Sequence, residues 1–231
     1  MKIFHLSFNP MQINIKHCIQ WAKEAEGIAV VMDVFRASNT IIACLAWGAE
    51  YVIPVGTLDD AFTLKKKFPD HILFGEREGQ KVEGCEYGNS PVEASQLSLN
   101  GKKIILTTSA WSQGVVNANK ADEILIGSFA NADAIVKYIQ KKNPTQVSLI
   151  AIGFISEEIA EEDELCWQYI QAKLSGEDVG FSSLKDEMLK CQWADRLRWL
   201  GQKDDLAFCL QLDTYDIVPV YDRRTWRITH K

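Results

Sequence analysis

An apolar run at residues 29–32 stops on a carboxylate, Asp33, and an arginine follows at position 36. The run is short, rich in β-branched residues and without alternation, which is typical of a strand buried on both faces of a parallel sheet. Residues 37–47 then carry apolar residues at helical spacing. A strand-to-helix turn of this kind lies at the carboxyl edge of the sheet, where open α/β folds bind ligands. The free N–H groups and the positive dipole end of the new helix favour an anion there.

Strand and helix patterns alternate along nearly the whole chain. Strands are predicted near residues 2–7, 28–33, 51–55, 71–74, 103–107, 123–127, 146–152 and 216–221. Helices are predicted near residues 12–25, 37–47, 58–67, 91–98, 110–118, 132–142, 158–174 and 184–199. This alternation predicts a three-layer α/β/α fold with a largely parallel or mixed sheet. No linker divides residues 1–231, so we expect a single α/β unit.

A weak internal repeat lies within this unit. Residues 30–73 resemble residues 105–150, most clearly at the second strand of each segment. We therefore predict two repeated halves, 28–100 and 101–220, each with the order strand, helix, strand, helix, strand. A duplication places Asp33 of one half and the hydroxyl residues of the other half at the ends of equivalent strands.

Composition limits the classes of partner. The net charge is −6 and there is no long basic run outside the short tail at residues 223–227, which argues against nucleic acid or an anionic membrane as the main partner. The six cysteines include no Cys-x-x-Cys pair, so we expect reduced thiols and a cytoplasmic protein. Neither a signal peptide nor a membrane helix is predicted.

Two arginines stand out by their placement. Arg36 and Arg77 are the only arginines in the first 195 residues, and each lies in a turn after a predicted strand. Arginine binds phosphate and carboxylate well, because its planar fork of donors matches their oxygen atoms. A hydrogen bond to a charged group contributes roughly 1.5–3 kcal/mol of net stabilisation, against roughly 1 kcal/mol for a bond between neutral groups. The alternative is a pair of exposed arginines in surface ion pairs. The hydroxyls at 107–109 also follow a strand, where they can donate to phosphate oxygens.

The connection at residues 75–91 contains four glycines and alternating charges. Loops of this length usually serve function. Its end has a structural explanation, because Ser90, Pro91 and Glu93 form a predicted capping box with proline at the first helical position. Residues 88–91 could therefore be only a turn. Glu76 lies just past a strand and has no such explanation.

Several phosphate chemistries are excluded by inspection. The chain has no phosphate-binding loop of the Gly-x-x-x-x-Gly-Lys type, no cysteine followed by an arginine six positions later, and Phe35 where an Asp-x-Asp phosphatase has its second carboxylate. The four histidines lack the spacing of a zinc site, so a metal bound by carboxylate oxygens would be Mg²⁺. Most of the acidic run at 157–164 is expected in solvent, although Glu162 or Asp163 could face inward.

Several motifs resemble the Mg²⁺-dependent 2-phosphosulfolactate phosphatases. They are DVFRASNTI at 33–41, GER at 75–77, EG at 83–84, GNSP at 88–91, GSF at 127–129, NA at 131–132 and EDELC at 162–166. The resemblance extends over about residues 28–220. It implies hydrolysis of a phosphate ester on a three-carbon acid that bears a sulfonate, a step towards coenzyme M, with Mg²⁺ as cofactor.

The resemblance also suggests roles for single residues. Asp33 is either a nucleophile that forms an aspartyl phosphate or a direct Mg²⁺ ligand, and Arg36 acts beside it. The metal ligands on this hypothesis are Asp33, Glu76 and Asp163. The residues expected to contact the substrate are Ser38, Thr40, Arg77, Asn89, Ser90, Thr107, Thr108 and Ser109.

The chain departs from the family pattern at two places. Thr-Thr-Ser-Ala-Trp-Ser at 107–112 replaces Thr-Thr-Thr-Asn-Gly-Thr, and Cys-Trp-Gln at 166–168 replaces Cys-Ala-Gly. A pocket narrowed or reshaped by the indole of Trp111 is expected. Two alternatives stay open: a phosphatase of another small phosphorylated acid, and a non-catalytic anion-binding protein on the same scaffold. The expected partner is a small anionic phosphate ester, and tryptophans near the C-terminus would suit packing or a homodimer.

Overall fold

The computed structural model describes residues 11–18, 22–153 and 158–231. The strands in these ranges are β1 (Gln12–His17), β2 (Ile28–Met32), β3 (Tyr51–Pro54), β4 (Ile72–Arg77), β5 (Gln80–Lys81), β6 (Lys103–Thr107), β7 (Glu123–Gly127), β8 (Gln146–Ala151), β9 (Pro219–Asp222) and β10 (Arg227–His230). The α-helices are α1 (Ala37–Ala46), α2 (Leu58–Lys67), α3 (Pro91–Gln96), α4 (Trp111–Asn117), α5 (Ala132–Lys142), α6 (Glu161–Ser175), α7 (Phe181–Met188), α8 (Gln192–Trp199) and α9 (Lys203–Cys209).

These strands form one mixed sheet in the order β1-β8-β2-β7-β9-β10-β3-β6-β4-β5. The first four strands in this order are parallel to one another, and so are β3, β6 and β4. The antiparallel hairpin of β9 and β10 lies between the two parallel groups, and β5 pairs antiparallel with β4. The predicted α/β class with a largely parallel, mixed sheet is confirmed.

Each parallel group contains strands from both predicted repeat segments. β2 lies between β7 and β8, and β6 lies between β3 and β4. The first strand of each predicted repeat segment is therefore inserted between the second and third strands of the other segment. This reciprocal order is the one expected of a duplicated unit. The two halves themselves stay a prediction, which superposition of residues 28–100 on 101–220 would test.

The central strand β2 is buried along its whole length. Ala29 and Val31 belong to a core that includes side chains of α1 and α4, whereas Val30 and Met32 belong to a second core with α5 and α6. Because both faces of the strand are covered by helices, both sets of alternate positions must be apolar. This explains the unalternating run that ends at Asp33.

The structure corrects several predicted elements. The helix predicted at 12–25 is wrong over Gln12–His17, which forms β1 and pairs in parallel with β8. Polar and apolar residues alternate at 12–15, the pattern of a strand. The helix predicted at 184–199 is two helices, α7 and α8, and neither α9 nor β10 was predicted. The strand predicted at 2–7 lies outside the described residues. None of the described helices is long and apolar enough to cross a membrane.

Candidate active site

The turn after β2 holds Asp33 at the start of α1. The backbone N–H of Ala37 donates to Oδ1 of Asp33 at 3.1 Å, and the N–H of Asp33 donates to Oγ of Ser38 at 3.0 Å. The hydroxyl of Thr40 donates to the carbonyl of Arg36 at 3.2 Å. These bonds satisfy polar groups at a helix start, where no earlier turn of helix exists to do so. They fix the Asp33 carboxylate at the end of a buried strand.

The turn after β6 is built in a similar way with hydroxyls in place of the carboxylate. Oγ1 of Thr108 accepts the N–H of Ser112 at 3.3 Å, and Oγ of Ser112 accepts the N–H of Thr108 at 3.2 Å. Thr108 stands at the position of Asp33 when the starts of the two predicted repeat segments are aligned. The candidate site therefore receives a carboxylate from one turn and neutral hydroxyls from the other.

Glu76, near the end of β4, is held by two neighbouring turns. Its Oε1 accepts the N–H of Gly79 at 2.6 Å and the hydroxyl of Ser109 at 3.1 Å, and its Oε2 accepts the N–H of Ser109 at 3.4 Å. Gly79 has φ +82°, in the left-handed region that favours glycine, and closes the tight turn to β5. The carboxylate of Glu76 therefore ties the β4 turn to the β6 turn.

Glu162 and Asp163 lie in the first turn of α6, and both are buried. Oδ1 of Asp163 accepts the N–H of Val34 at 2.7 Å, and its Oδ2 accepts the N–H of Gly153 at 3.1 Å. Gly153 follows β8, the neighbour of β2 in the sheet. These bonds explain why part of an acidic run turns inward: its carboxylate binds backbone donors at two strand ends.

The turns enclose a cleft of about 490 Å³, counted to its open mouth. Predicted site residues that line it are Asp33, Arg36, Glu76, Asn89, Thr108, Ser109 and Asp163. The lining is completed by Phe35, Gly79, Ala110, Gly153, Ala160, Glu162 and Trp193. The cleft therefore brings together residues that are far apart in the sequence, at the ends of strands from both parallel groups.

Burial and mutual repulsion raise the pKa values of three carboxyl groups in the cleft. Burial raises the pKa of Asp33 to about 7, against the opposing hydrogen bond from Ala37 and with further help from the charge of Glu76. Burial also raises the pKa of Glu162 to about 7, and the charge of Asp33 contributes in the same direction. The pKa of Asp163 is raised well above its ordinary value by burial and by the charges of Asp33 and Glu162. A cation in the cleft would relieve this repulsion.

The donor set fits Mg²⁺. Within the described residues, no three His, Cys, Asp or Glu side chains already form a metal-binding group. Mg²⁺ does not require such a cage, because it commonly binds through one or two carboxylates, retained waters and substrate phosphate. Asp33, Glu76, Glu162 and Asp163 offer the hard oxygen atoms that this ion prefers.

Arg36 supplies the positive charge of the cleft and is only 3% exposed. Its Nη1 donates to Oδ2 of Asp205 at 2.6 Å, and its Nη2 donates to the carbonyl oxygen of Gly79 at 2.8 Å. The Phe35–Arg36 peptide bond is cis. The guanidinium is thus held from two sides, and Arg36 is one of the residues that line the cleft.

Five predicted substrate contacts lie outside the lining: Ser38, Thr40, Arg77, Ser90 and Thr107. Ser38 and Thr40 are buried and bind the backbone of the Asp33 turn. Arg77 donates from Nη2 to Oγ1 of Thr107 at 3.0 Å and from Nη1 to the carbonyl of Glu76 at 2.5 Å. Ser90 binds Asp205. In the structure their polar groups hold the turns that carry the lining residues, and direct contact of these five residues with a substrate stays a prediction.

The structure also corrects the expectation for Trp111. Its indole is fully buried in the core with α1 and does not line the cleft, whereas the preceding Ala110 does. A helix that starts at position 111 directs its first apolar side chain into the core. Of the residues that depart from the family pattern here, Ser109 and Ala110 line the cleft, and the larger change is the loss of an amide at Ala110.

Sequence reasoning missed two further residues near the site. Trp193 of α8 packs against the core as expected, and it also lines the cleft, which was not predicted. Asp205 of α9 holds Arg36 from 169 positions further along the chain. No local pattern signals either role. A buried aspartate in a short helix can be found only once its distant partner is known.

Comparison with known proteins shows the family of the chain. A family model described as 2-phosphosulpholactate phosphatase matches residues 14–224. A probable 2-phosphosulfolactate phosphatase of Thermotoga maritima is 36% identical over 204 residues, which cover 83% of this chain and 87% of that protein. A probable 2-phosphosulfolactate phosphatase of Carboxydothermus hydrogenoformans is 34% identical over 223 residues, which cover 90% of this chain and 92% of that protein. The chain belongs to the 2-phosphosulfolactate phosphatase family.

Proposed function

We propose that this protein hydrolyses 2-phosphosulfolactate to sulfolactate and inorganic phosphate with Mg²⁺ as cofactor. One observation carries the proposal: four acidic residues line a single cleft together with Arg36, and they are Asp33, Glu76, Glu162 and Asp163. The names of the relatives support the choice of substrate.

The charges of the cleft support a metal-dependent reaction. The phosphoryl, carboxylate and sulfonate groups of the substrate are anionic, so ionised carboxylates would repel them. Arg36 is the only lysine or arginine among the described lining residues, and Asp205 already pairs with it. A divalent cation between the carboxylates and the phosphoryl group would reverse this repulsion. We propose Asp33, Glu76 and Asp163 as its ligands, with Glu162 as an additional carboxylate.

When bound, Mg²⁺ would supply a Lewis acid that stabilises charge on the phosphoryl oxygens. The protein residues orient the reacting groups and bind the substrate. The bond from Ala37 orients the carboxylate of Asp33, which either attacks phosphorus or holds the cation. Arg36 binds phosphoryl oxygens beside it, and the positive dipole end of α1 favours negative charge there. Preorganised donors of this kind matter because phosphate monoesters are among the slowest compounds to hydrolyse in water.

The far end of the substrate needs neutral or positive donors. Asn89 lines the cleft, is 4% exposed, and its Oδ1 atom has no hydrogen-bond partner. Rotating the amide by half a turn would present its NH₂ group instead, and the two orientations are hard to distinguish by shape. We propose that Asn89 donates to the carboxylate or sulfonate, helped by Thr108 and Ser109. Arg77, bound to Thr107, is left out of this contact.

A cytoplasmic location is part of the proposal. Five buried cysteines form no disulfide, which suits a reducing compartment: Cys44, Cys85, Cys166, Cys191 and Cys209.

Phosphate release from a panel of esters tests the proposal. The panel contains 2-phosphosulfolactate, 2-phospholactate, which lacks the sulfonate, and 3-phosphoglycerate, all with magnesium chloride. Preference for 2-phosphosulfolactate by tenfold or more in kcat/KM is the expected outcome, on the scale of a single well-recognised substrate group. Preference for another acid would favour the alternative phosphatase, and release from none would favour the non-catalytic anion-binding protein.

A quench experiment separates the two roles of Asp33. If Asp33 is the nucleophile, acid quenching during turnover leaves labelled phosphate on the protein. If Asp33 is a metal ligand, the quenched protein carries no label.

A further inference from the structure

The ion pair of Arg36 and Asp205 is buried and joins distant parts of the chain. The two side chains are 3% and 5% exposed, and Nη1 of Arg36 lies 2.6 Å from Oδ2 of Asp205. Nη2 of Arg36 donates to the carbonyl of Gly79. Both terminal nitrogens of Arg36 therefore have protein partners, one from α9 and one from the turn between β4 and β5. This arrangement fixes the plane of the guanidinium.

Asp205 is itself anchored on its other oxygen. Oδ1 of Asp205 accepts the hydroxyl of Ser90 at 2.6 Å and the backbone N–H of Val92 at 3.2 Å. Ser90 is also the N-cap of α3, where its Oγ accepts the N–H of Glu93. The carboxylate of Asp205 therefore connects Arg36 with the start of a helix. It has little freedom to move without breaking several hydrogen bonds.

The second partner of Arg36 is supported in the same way. The carbonyl of Gly79 also accepts Nε2 of Gln202 at 3.0 Å, and Gly79 donates its N–H to Glu76. Gln202 lies just before α9, the helix of Asp205. The segment of residues 202–205 thus holds Arg36 directly through Asp205 and indirectly through the Gly79 carbonyl.

We propose that Asp205 is a positioning residue, which holds the guanidinium of Arg36 in the orientation that binds the phosphoryl group. The role rests on the proposed function of the cleft. Asp205 is not among the residues that line the cleft, so it acts on the substrate through Arg36. An arginine fixed before the substrate arrives loses less conformational freedom on binding than a mobile one.

A positioning role and a purely electrostatic effect predict opposite changes in anion affinity for Asp205→Asn. The substitution removes a negative charge beside Arg36, so electrostatics alone predicts tighter binding of an anion. If the carboxylate serves to orient Arg36, the same substitution frees the guanidinium and weakens binding. The sign of the change therefore separates the positioning role from a general effect of charge.

The experiment measures binding of inorganic phosphate, with magnesium chloride present, by calorimetry, together with kcat and KM for 2-phosphosulfolactate. For Asp205→Asn we expect phosphate binding about tenfold weaker or more, and kcat/KM reduced by on the order of 10- to 100-fold. Asp204→Asn is the matched control, because it removes the same charge from an exposed neighbour in the same helix. Its values are expected within about twofold of wild type.

A second variant and an NMR measurement distinguish loss of positioning from loss of the fold. Ser90→Ala removes one anchor of Asp205 but leaves the pair with Arg36, so we expect a smaller loss in the same direction. The NMR signal of the Arg36 Nε–H group reports the orientation directly. It should be sharp and slow to exchange with water in wild type, and broadened in Asp205→Asn.

The outcomes distinguish the two proposals. Phosphate affinity in Asp205→Asn that equals or exceeds that of wild type would overturn the positioning role, and so would an equal loss in Asp204→Asn. Absence of turnover of every ester by wild type would overturn the proposed function instead. In that case the Arg36 signal decides, since an unchanged signal in Asp205→Asn would show that Asp205 does not orient the guanidinium.

Discussion

Oδ1 of Asp163 accepts the backbone N–H of Val34 at 2.7 Å, across 129 residues of sequence. Its Oδ2 accepts the N–H of Gly153 at 3.1 Å. These two bonds hold the start of α6 against the ends of β2 and β8, next to Asp33. Asp163 therefore has a structural role whether or not it also binds a metal, and the two roles can be separated by mutation.

Asp163→Ala leaves two backbone N–H groups without their acceptor. An unsatisfied buried donor costs about 1–3 kcal/mol, so the free energy of unfolding should fall by about 2 kcal/mol or more even without magnesium. Glu161→Ala is the control, because it removes an exposed carboxylate from the same helical turn and should change stability by less than about 0.5 kcal/mol. Urea unfolding of metal-free protein measures both. Equal losses in the two variants would refute the structural role.

Metal-free protein should lose stability as pH rises. A carboxyl group whose pKa is raised in the folded state stabilises the fold below its unfolded pKa and loses that contribution as pH passes its folded pKa. For Asp33 and Glu162 this window runs from 3.8 and 4.5, respectively, up to about 7. Magnesium chloride should therefore raise Tm more at pH 8 than at pH 5, by about 2–4 °C for each kcal/mol regained.

Thermal scans at the two pH values, with sodium chloride at equal ionic strength as the control, measure this difference. Asp33→Asn should show a smaller magnesium effect at pH 8, because one of the coupled carboxylates is gone. A magnesium effect of the same size at pH 5 and pH 8 would speak against cation binding by these groups.

Gly153 is expected to tolerate no side chain. It has φ +73°, and an added Cβ would lie 2.2 Å from the backbone oxygen of Glu158, which cannot move aside as a flexible side chain can. Gly101 is a control with φ +69° and no atom within 4 Å of an added Cβ. Gly101→Ala should cost about 1 kcal/mol from backbone strain, and Gly153→Ala at least about 2 kcal/mol more. Similar unfolding midpoints for the two variants would contradict the close approach.

Substrate preference should respond to Ala110 and not to Trp111. Ala110→Asn places an amide at the cleft and should change the ratio of kcat/KM for 2-phosphosulfolactate and 2-phospholactate by about tenfold. Trp111→Phe repacks a buried position and should change that ratio by less than about twofold. Competition assays with both esters give the ratio directly. A larger change from Trp111→Phe would place the indole in the specificity site after all.

Much of the fold could be predicted because its signals are local. β2 carries an unalternating apolar run, and α3 begins with Ser90 and Pro91 as its capping pattern requires. β1 was missed although polar and apolar residues alternate at its start, because helical spacing was favoured across 12–25. The helix α9 is only seven residues long and gives too short a window for periodicity.

The site could be predicted in part for the same reason. Asp33 and Arg36 lie in the turn after β2 and Glu76 lies near the end of β4, so the position of each along the chain indicates its place at a sheet edge. Direct substrate contact of Ser38 and Thr107 stays a prediction, because a hydroxyl near a strand end can bind either a substrate or a neighbouring protein group, and sequence does not distinguish these partners. The partnership of Arg36 with Asp205 depends on packing between distant segments, which no local pattern records.

The most direct test of the central claim is release of inorganic phosphate from 2-phosphosulfolactate by purified protein, with magnesium chloride and again with the metal removed by EDTA. Wild type should release phosphate only with magnesium, and Asp33→Asn should be slower by on the order of 10³-fold or more while its far-ultraviolet circular dichroism stays unchanged. Release that persists in EDTA, or a near-normal rate in Asp33→Asn, would contradict the account.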